Sequence, residues 1–190
     1  MDTSTNPRIV VVGSSCAGKS TFAELLCDAR GCARIELDEL YWSGGWKPKP
    51  LEEFLRLVDD ASSVNSWVAA GNYSPAREIL WTRATTIVWL DLGLPRVFWR
   101  GLKRSLRRGL LGERVFHDNA ETLRRTFFSR ESILWWILTT FSRRRREFSA
   151  LRESRDFEHL TWLHARTPDQ AQAILKSLAQ VNDRALGESV

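Results

Sequence analysis

Residues 13–20 read Gly-Ser-Ser-Cys-Ala-Gly-Lys-Ser: two glycines bracket four small residues, and a lysine and a hydroxyl follow, with Thr21 adding a second hydroxyl. This is the G-x-x-x-x-G-K-[ST] spacing of a phosphate-binding loop. A loop with so little side-chain bulk lets main-chain N–H groups close around phosphate oxygens. A helix starting inside it adds unpaired donors and the positive end of its dipole. Gly13, Ser14, Ser15, Cys16, Ala17 and Gly18 would supply the cradle. Lys19 would neutralise β and γ phosphate charge, Ser20 would offer its hydroxyl to Mg²⁺, and Thr21 would support the α phosphate. Downstream, Asp38 could hold a Mg²⁺-bound water or accept the proton of an acceptor hydroxyl, with a helix cap or loop carboxylate as the plainer alternative. Arg100 and Arg104 stand one helical turn apart, so both could reach one polyphosphate and share the charge on a transferred group; a solvated basic face is the other possibility.

These groups need elements to hold them. Arg8 to Val12 is a branched apolar run that stops at glycine, and Lys19 to Arg30 carries Phe22, Leu25 and Leu26 at helical spacing, so strand, loop and helix follow in the order the motif requires. Ala33 to Asp38 reads as a second strand, followed by a Gly, Pro and Trp loop over 39–50. Leu51 to Ser63, with Pro50 ahead of it, reads as a helix. Residues 66–73 and 85–92 are two further buried strands around a short helix-like stretch. Pro95 opens a long basic helix, a second helix is expected from about Asn119 through Trp135 and Trp136, 159–165 is a fifth strand, and Thr167-Pro168-Asp169 opens a last helix. Such alternation predicts an α/β fold with a parallel sheet covered on both faces, whose ligands sit at the carboxyl ends of the strands. Gly13, Asp38, Gly71 and Asp91 all fall at such ends, Asp91 being read as a structural cap for the helix after Pro95.

The chain of 190 residues, 43% hydrophobic, suits one domain over 1–184 with a loose tail at 185–190. Its first eight residues are polar, with no signal peptide or membrane span to be read, and a cytoplasmic protein without a membrane partner is expected. The stretch Ile133 to Phe141, with its Trp pair, is too short to span a bilayer. Cys16, Cys27 and Cys32 lack metal-ligand spacing and read as reduced thiols. His117, His159 and His164 are scattered and suggest no metal. The net charge of +5 is local: Arg96 to Arg146 holds fourteen Lys and Arg against four acids, while the rest of the chain is net acidic. Such a belt suits phosphates, on a nucleotide or on a nucleic acid. Trp67, Trp89 and Trp162 lie inside strands and read as core.

In order, GSSCAGKST (13–21), ELDELYWSGGW (36–46), GNYS (71–74), WLDL (89–92), FWRGLKRSLRR (98–108), the Trp135-Trp136 pair and the Arg143 to Arg146 run resemble the small adenylate-kinase-like proteins often labelled DNA topology modulation proteins. More broadly the chain resembles the nucleoside monophosphate kinase fold. The resemblance implies a P-loop NTPase of three α/β/α layers around a five-stranded parallel sheet, with a basic helical lid over about 109–128. It also implies ATP as phosphate donor, Mg²⁺ as partner, and lid-proximal Arg100 and Arg104 flanking the nucleotide. Where relatives carry an aspartate before Gly-Asn-Tyr this chain has Ala70, so a Walker-B-like carboxylate is missing from the third strand, and Asp38 could cover its role. The Thr and Arg pair that grips AMP and the lid cysteines that bind zinc have no counterpart here, which argues against AMP as acceptor.

An acceptor is expected over Tyr41, Trp42, Trp46, Asn72, Tyr73 and Arg77, where aromatic walls with a few polar groups suit a planar or sugar-like small molecule. Three functions follow from these residues. One is a phosphotransferase moving the γ phosphate of ATP to that small acceptor by positioning and charge neutralisation. The second is an ATP-dependent regulator that binds nucleic acid through the 96–146 belt, and the third a nucleotide binder with weak catalysis.

Overall fold

Apolar on both sides, the branched and aromatic runs of this chain can only be strands covered by helices above and below. The structure, a computed structural model, describes residues 6–111, 114–115, 119–120, 133–154 and 156–186, with side chains placed for 6–107, 134–154 and 156–180. Five strands, β1 (Arg8–Gly13), β2 (Ala33–Glu36), β5 (Trp67–Ala70), β6 (Thr86–Leu90) and β9 (Thr161–Ala165), form one sheet. Their order is β2-β5-β1-β6-β9, and every pairing is parallel. The helices are α1 (Lys19–Arg30), α2 (Leu37–Tyr41), α3 (Leu51–Ala61), α4 (Arg77–Arg83), α5 (Leu94–Leu111), α6 (Ile133–Glu153) and α7 (Pro168–Leu186).

Successive residues of each strand feed opposite cores. Val10, Val12, Trp67, Ile87 and Trp89 pack with Phe54 and Val58 of α3 and Leu80 and Trp81 of α4. Ile9, Val11, Val68, Val88 and Leu90 pack with Phe22 and Leu26 of α1, Val97 of α5 and partly buried Ile174 and Leu178 of α7. Each fully buried aliphatic side chain contributes about 1.5–3 kcal/mol, so these two layers supply most of the stabilisation. Leu25, expected on the inner stripe of α1, is half exposed; Ala23 and Cys27 complete that stripe instead.

Helix α6 belongs to both cores, with Ile137 in one and Phe148 in the other. Asp91, just beyond β6, ties it to the sheet. Its buried carboxylate accepts from Arg145 Nε and His164 Nε2, both at 3.1 Å. The His164 ring lies flat on Trp89 at 4.2 Å, and burial pulls its pKa down against the opposing pull of Asp91. A neutral ring then donates from Nε2 to Asp91 and accepts at Nδ1 from Arg152, 3.3 Å away. Asp91 is thus a bridge between β9 and α6, and not the helix cap the sequence suggested.

The second strand stops at Glu36, two residues before the expected Asp38, because Leu37 turns into the core and starts the one-and-a-half-turn α2. The expected loop after it contains a tight antiparallel hairpin, β3 (Trp42–Ser43) with β4 (Lys47–Pro48). Asn119–Ala120, expected to open a helix, is strand β8 paired with β7 (Arg114–Val115), and the described helix begins at Ile133. The rest of the expected lid, 112–113, 116–118 and 121–128, lies outside the described residues, as do 187–190 of the expected tail; α7 itself runs on to Leu186.

Gly71 follows β5 with φ +148, and a Cβ there would sit 2.7 Å from Leu37 Cβ and 2.9 Å from its Cδ1. Both the backbone conformation and the contact exclude a side chain. Gly71→Ala should lower unfolding stability by about 3 kcal/mol, the sum of a strained φ and an overpacked contact. The measurement is the urea midpoint at unchanged m-value; an unchanged midpoint would show that Leu37 yields freely.

Candidate functional site

The loop after β1 is built by three strand ends meeting. Gly13 has φ +146, and a Cβ there would fall 2.4 Å from the Leu90 carbonyl oxygen at the end of β6, so only glycine lets the two backbones approach. From the other side, Asn72, after β5, grips the same residue twice: Gly13 N–H donates to Asn72 Oδ1 at 3.3 Å, and Asn72 Nδ2 donates to the Gly13 carbonyl. The loop then passes through Cys16 at φ 62, an uncommon conformation for a residue with a Cβ, and enters α1 at Gly18. Ala17 is buried and closes the loop from below.

Lys19 folds back over this loop. Its Nζ donates to the carbonyls of Gly13 (3.2 Å) and Ser14 (3.1 Å), which holds the ammonium across the mouth of the cradle. Burial draws its pKa below the ordinary lysine value, while the carboxylates of Asp38 and Glu36 oppose that shift. Arg100 and Arg104 divide the work expected of them jointly. Arg100 Nη1 donates to the Ala17 carbonyl at 3.1 Å and braces the loop. Arg104 has its Nε buried without a hydrogen-bond partner, and its charge is close enough to lower the Lys19 pKa.

Glu36 was not singled out from the sequence. It ends β2 only 4% exposed, directly across the register from Ala70 on β5. The position where a carboxylate is absent from one strand is therefore flanked by a carboxylate on its neighbour. Glu36 Oε2 has no hydrogen-bond partner among the described residues. Its pKa is pushed up to about 7: burial is the main cause, the Ser20 hydroxyl opposes it, and the Asp38 charge adds to it. The one available signal was an acid between Ile35 and Leu37 in an otherwise apolar strand end, since buried carboxylates without a task are rare.

Asp38 lies in the first turn of α2, where Tyr73 O–H donates to its Oδ1 at 2.7 Å. Burial, then the Asp38 charge and hydrogen bond, push the phenol well above its usual range, so Tyr73 keeps its proton and stays a donor. Tyr73 and Tyr41 cluster with buried Phe54 in tilted and edge-to-face contacts, ring centroids 4.6 to 5.2 Å apart. In front of them Trp42 and Trp46 meet edge to face at 5.8 Å across the hairpin. A small cleft runs from Asn72 and Tyr73 past Leu37 to Arg77 and Trp81. Arg77 is engaged within the fold: it pairs with Glu147, which also meets Arg144 at 3.5 Å, and lies over the Trp81 ring. Of the residues expected to meet an acceptor, Trp42 and Trp46 stand at the front, Tyr41 and Tyr73 behind them, and Asn72 and Arg77 hold protein groups.

A raised folded-state pKa means that the folded chain binds the Glu36 proton more tightly than the unfolded chain does. The stability it contributes is complete below the ordinary value of 4.5, declines as pH rises, and is lost above about 7. Without metal and nucleotide, urea unfolding should therefore show stability falling across that window, and Glu36→Gln should flatten the fall. An identical pH profile in the variant would remove Glu36 as its cause.

No protein-family model and no curated protein sequence matches the chain. Solved structures do resemble it. A gluconokinase from Sinorhizobium meliloti 1021 superposes with a TM-score of 0.51 at 18% identity over 98% of this chain and 99% of that one. A shikimate kinase from Bacteroides thetaiotaomicron gives 0.54 at 13% identity over 93% and 98%. One from Acinetobacter baumannii in complex with shikimate gives 0.50 at 18% over 95% of each chain. At such identities the likeness shows the fold, that of P-loop NTPases with three α/β/α layers around a five-stranded parallel sheet.

Proposed function

We propose that this chain is an ATP-dependent phosphotransferase that moves the γ phosphate of ATP to a hydroxyl of a small acceptor. One observation carries it: around the loop of 13–20, three buried polar atoms of complementary chemistry, Ser14 Oγ, Arg104 Nε and Glu36 Oε2, have no partner among the described residues. Leaving such atoms unpaired costs about 1–3 kcal/mol each, so their convergence fits a ligand with both anionic oxygens and a bound cation. Nucleotide contacts come from Gly13 through Thr21. Lys19 and Arg104 face the polyphosphate, and Arg100 stiffens the loop from outside.

The donor set suits Mg²⁺, a hard cation that takes oxygen ligands and keeps several waters. Ser20, Glu36 and Asp38 would hold it, Asp38 through water, and it would neutralise phosphate charge there. Asp38 is the residue for the acceptor proton. Tyr73 fixes the carboxylate through Oδ1, leaving Oδ2 to accept from a hydroxyl seated against Trp42 and Trp46. Those aromatic edges favour a sugar-like or planar acceptor. The similarity to gluconokinase and shikimate kinase structures supports a small hydroxylated acceptor over a second nucleotide.

The narrower resemblance to DNA topology modulation proteins would instead make the basic belt a nucleic-acid surface. Within that belt Arg144 and Arg145 are taken up by Glu147 and Asp91, which leaves less free charge than the composition suggests. Calorimetric titration with ATP·Mg²⁺ should show binding that Lys19→Ala weakens at least about tenfold, the scale of losing a charged hydrogen-bond donor. An ADP-release screen over sugars, polyols, nucleoside monophosphates and short duplex DNA should find a small hydroxylated accelerator. With that acceptor, Asp38→Asn should keep ATP affinity and lower kcat by about 10²–10⁴-fold. Stimulation by the duplex alone would favour the regulator instead.

A further inference from the structure

Cys27 and Cys32 face each other toward the end of α1 away from the phosphate loop, about 12 Å along the helix from Lys19 at roughly 1.5 Å per residue. Their Sγ atoms are 3.4 Å apart. The turn out of the helix brings them together: the chain reverses at Gly31, φ 62, and the N–H groups of Gly31 (2.8 Å) and Cys32 (3.3 Å) both donate to the Cys27 carbonyl. This places Cys32 back over the last helical turn.

The two thiols differ in surroundings. Cys27 is 7% exposed, and its thiol donates to the Ala33 carbonyl at 3.5 Å. The Cys32 contact and burial push its pKa far above the usual thiol range. Cys32 is half-buried, with part of its surface open to solvent. The Cys27 thiol, the Ser66 hydroxyl and the Arg30 charge together outweigh burial there and bring its pKa down to about 7. Cys32 is therefore the more readily ionised and less buried of the two, and its neighbour is a buried thiol that retains its proton.

We propose that Cys27 and Cys32 form a thiol-modification site for low-molecular-weight disulfides of the glutathione type, in which Cys32 is the attacking sulfur and Cys27 the resolving one. The Cys32 thiolate attacks one sulfur of the oxidised disulfide. That S–S bond breaks, one glutathione thiolate leaves, and a mixed disulfide stands on Cys32. Cys27 passes its proton to the solvent, attacks Cys32 Sγ and expels the second glutathione as thiolate. Two protein thiols are oxidised to one disulfide, and one glutathione disulfide is reduced to two glutathiones. The sulfurs must close from 3.4 Å to the roughly 2.05 Å of an S–S bond. Cys16 belongs to the phosphate loop and takes no part.

Trypsin cutting after Lys19, Arg30 and Arg34 places the two cysteines on separate peptides, 20–30 and 31–34. After native treatment with glutathione disulfide, mass spectrometry should find these peptides cross-linked, with the intact chain lighter by two hydrogens. Cys27→Ala should stall with glutathione on Cys32, and Cys32→Ala should leave Cys27 unmodified. Iodoacetamide labelling of Cys32 in the wild type should be half-maximal near pH 7. In Cys27→Ala it should move toward the roughly 8.5 of a free cysteine. A wild-type adduct resting on Cys16, a stable unresolved adduct on Cys32, or labelling half-maximal near that free-cysteine value would overturn the proposal. Should Cys27→Ala fail to fold, the wild-type cross-link and labelling profile decide it alone.

Discussion

The peptide of Gly13 is held on both its polar groups by the single side chain of Asn72, and everything at the carboxyl edge of the sheet is arranged around that grip. It ends β1 as a strand and directs the chain into the loop. It also couples three strand ends, because Asn72 follows β5 while Gly13 presses on the Leu90 carbonyl of β6. Lys19 then closes over the same carbonyl from the helix side. The clamp fixes the backbone at the start of the loop without adding bulk to it, which is what the proposed phosphate cradle would require of its main-chain N–H groups.

Around the clamp, apolar packing keeps polar groups in unfavourable company. Glu36 is buried beside Ala70, Lys19 is desolvated, and Arg104 Nε and Ser14 Oγ lack partners among the described residues. The two hydrophobic layers on either side of the sheet hold these groups in place at a cost to stability. A ligand that satisfies them would regain that cost as binding free energy, so on the proposed function stability and nucleotide affinity would be linked through the same few atoms. Part of the basic belt is used within the fold: Arg145 pairs with Asp91 beyond β6, and Glu147, which also meets Arg144, pairs with Arg77 of α4, so that α6 is tied to the sheet and to α4.

Much of this was legible from local pattern. The loop motif, the strand before it and the helix after it depend on spacing within a dozen residues. The strands around Val10, Val68, Val88 and Leu163 betray themselves by apolar runs of strand length, which implies a sheet covered on both faces. Asp38 was singled out because it ends the alternating stretch Ala33–Asp38, although the strand itself stops at Glu36. Glu36 was passed over because its significance lies in a partner thirty-four residues away: only the register of β2 on β5 sets it beside Ala70. Asn72 and Arg77, read as acceptor contacts, could not be assigned to Gly13 and Glu147 from sequence, since both pairings join segments far apart in the chain.

By itself the amino-acid sequence determined the loop of 13–20 between a strand and a helix, the alternation of strands and helices and the uneven distribution of charge, because these rest on residue type and short spacing. Tertiary structure alone decided which carboxylate stands next to Ser20, that Arg104 Nε is buried with no partner among the described residues, and which two of three cysteines meet. Those outcomes depend on register, burial and the direction in which a side chain leaves its element, and a linear pattern carries none of the three.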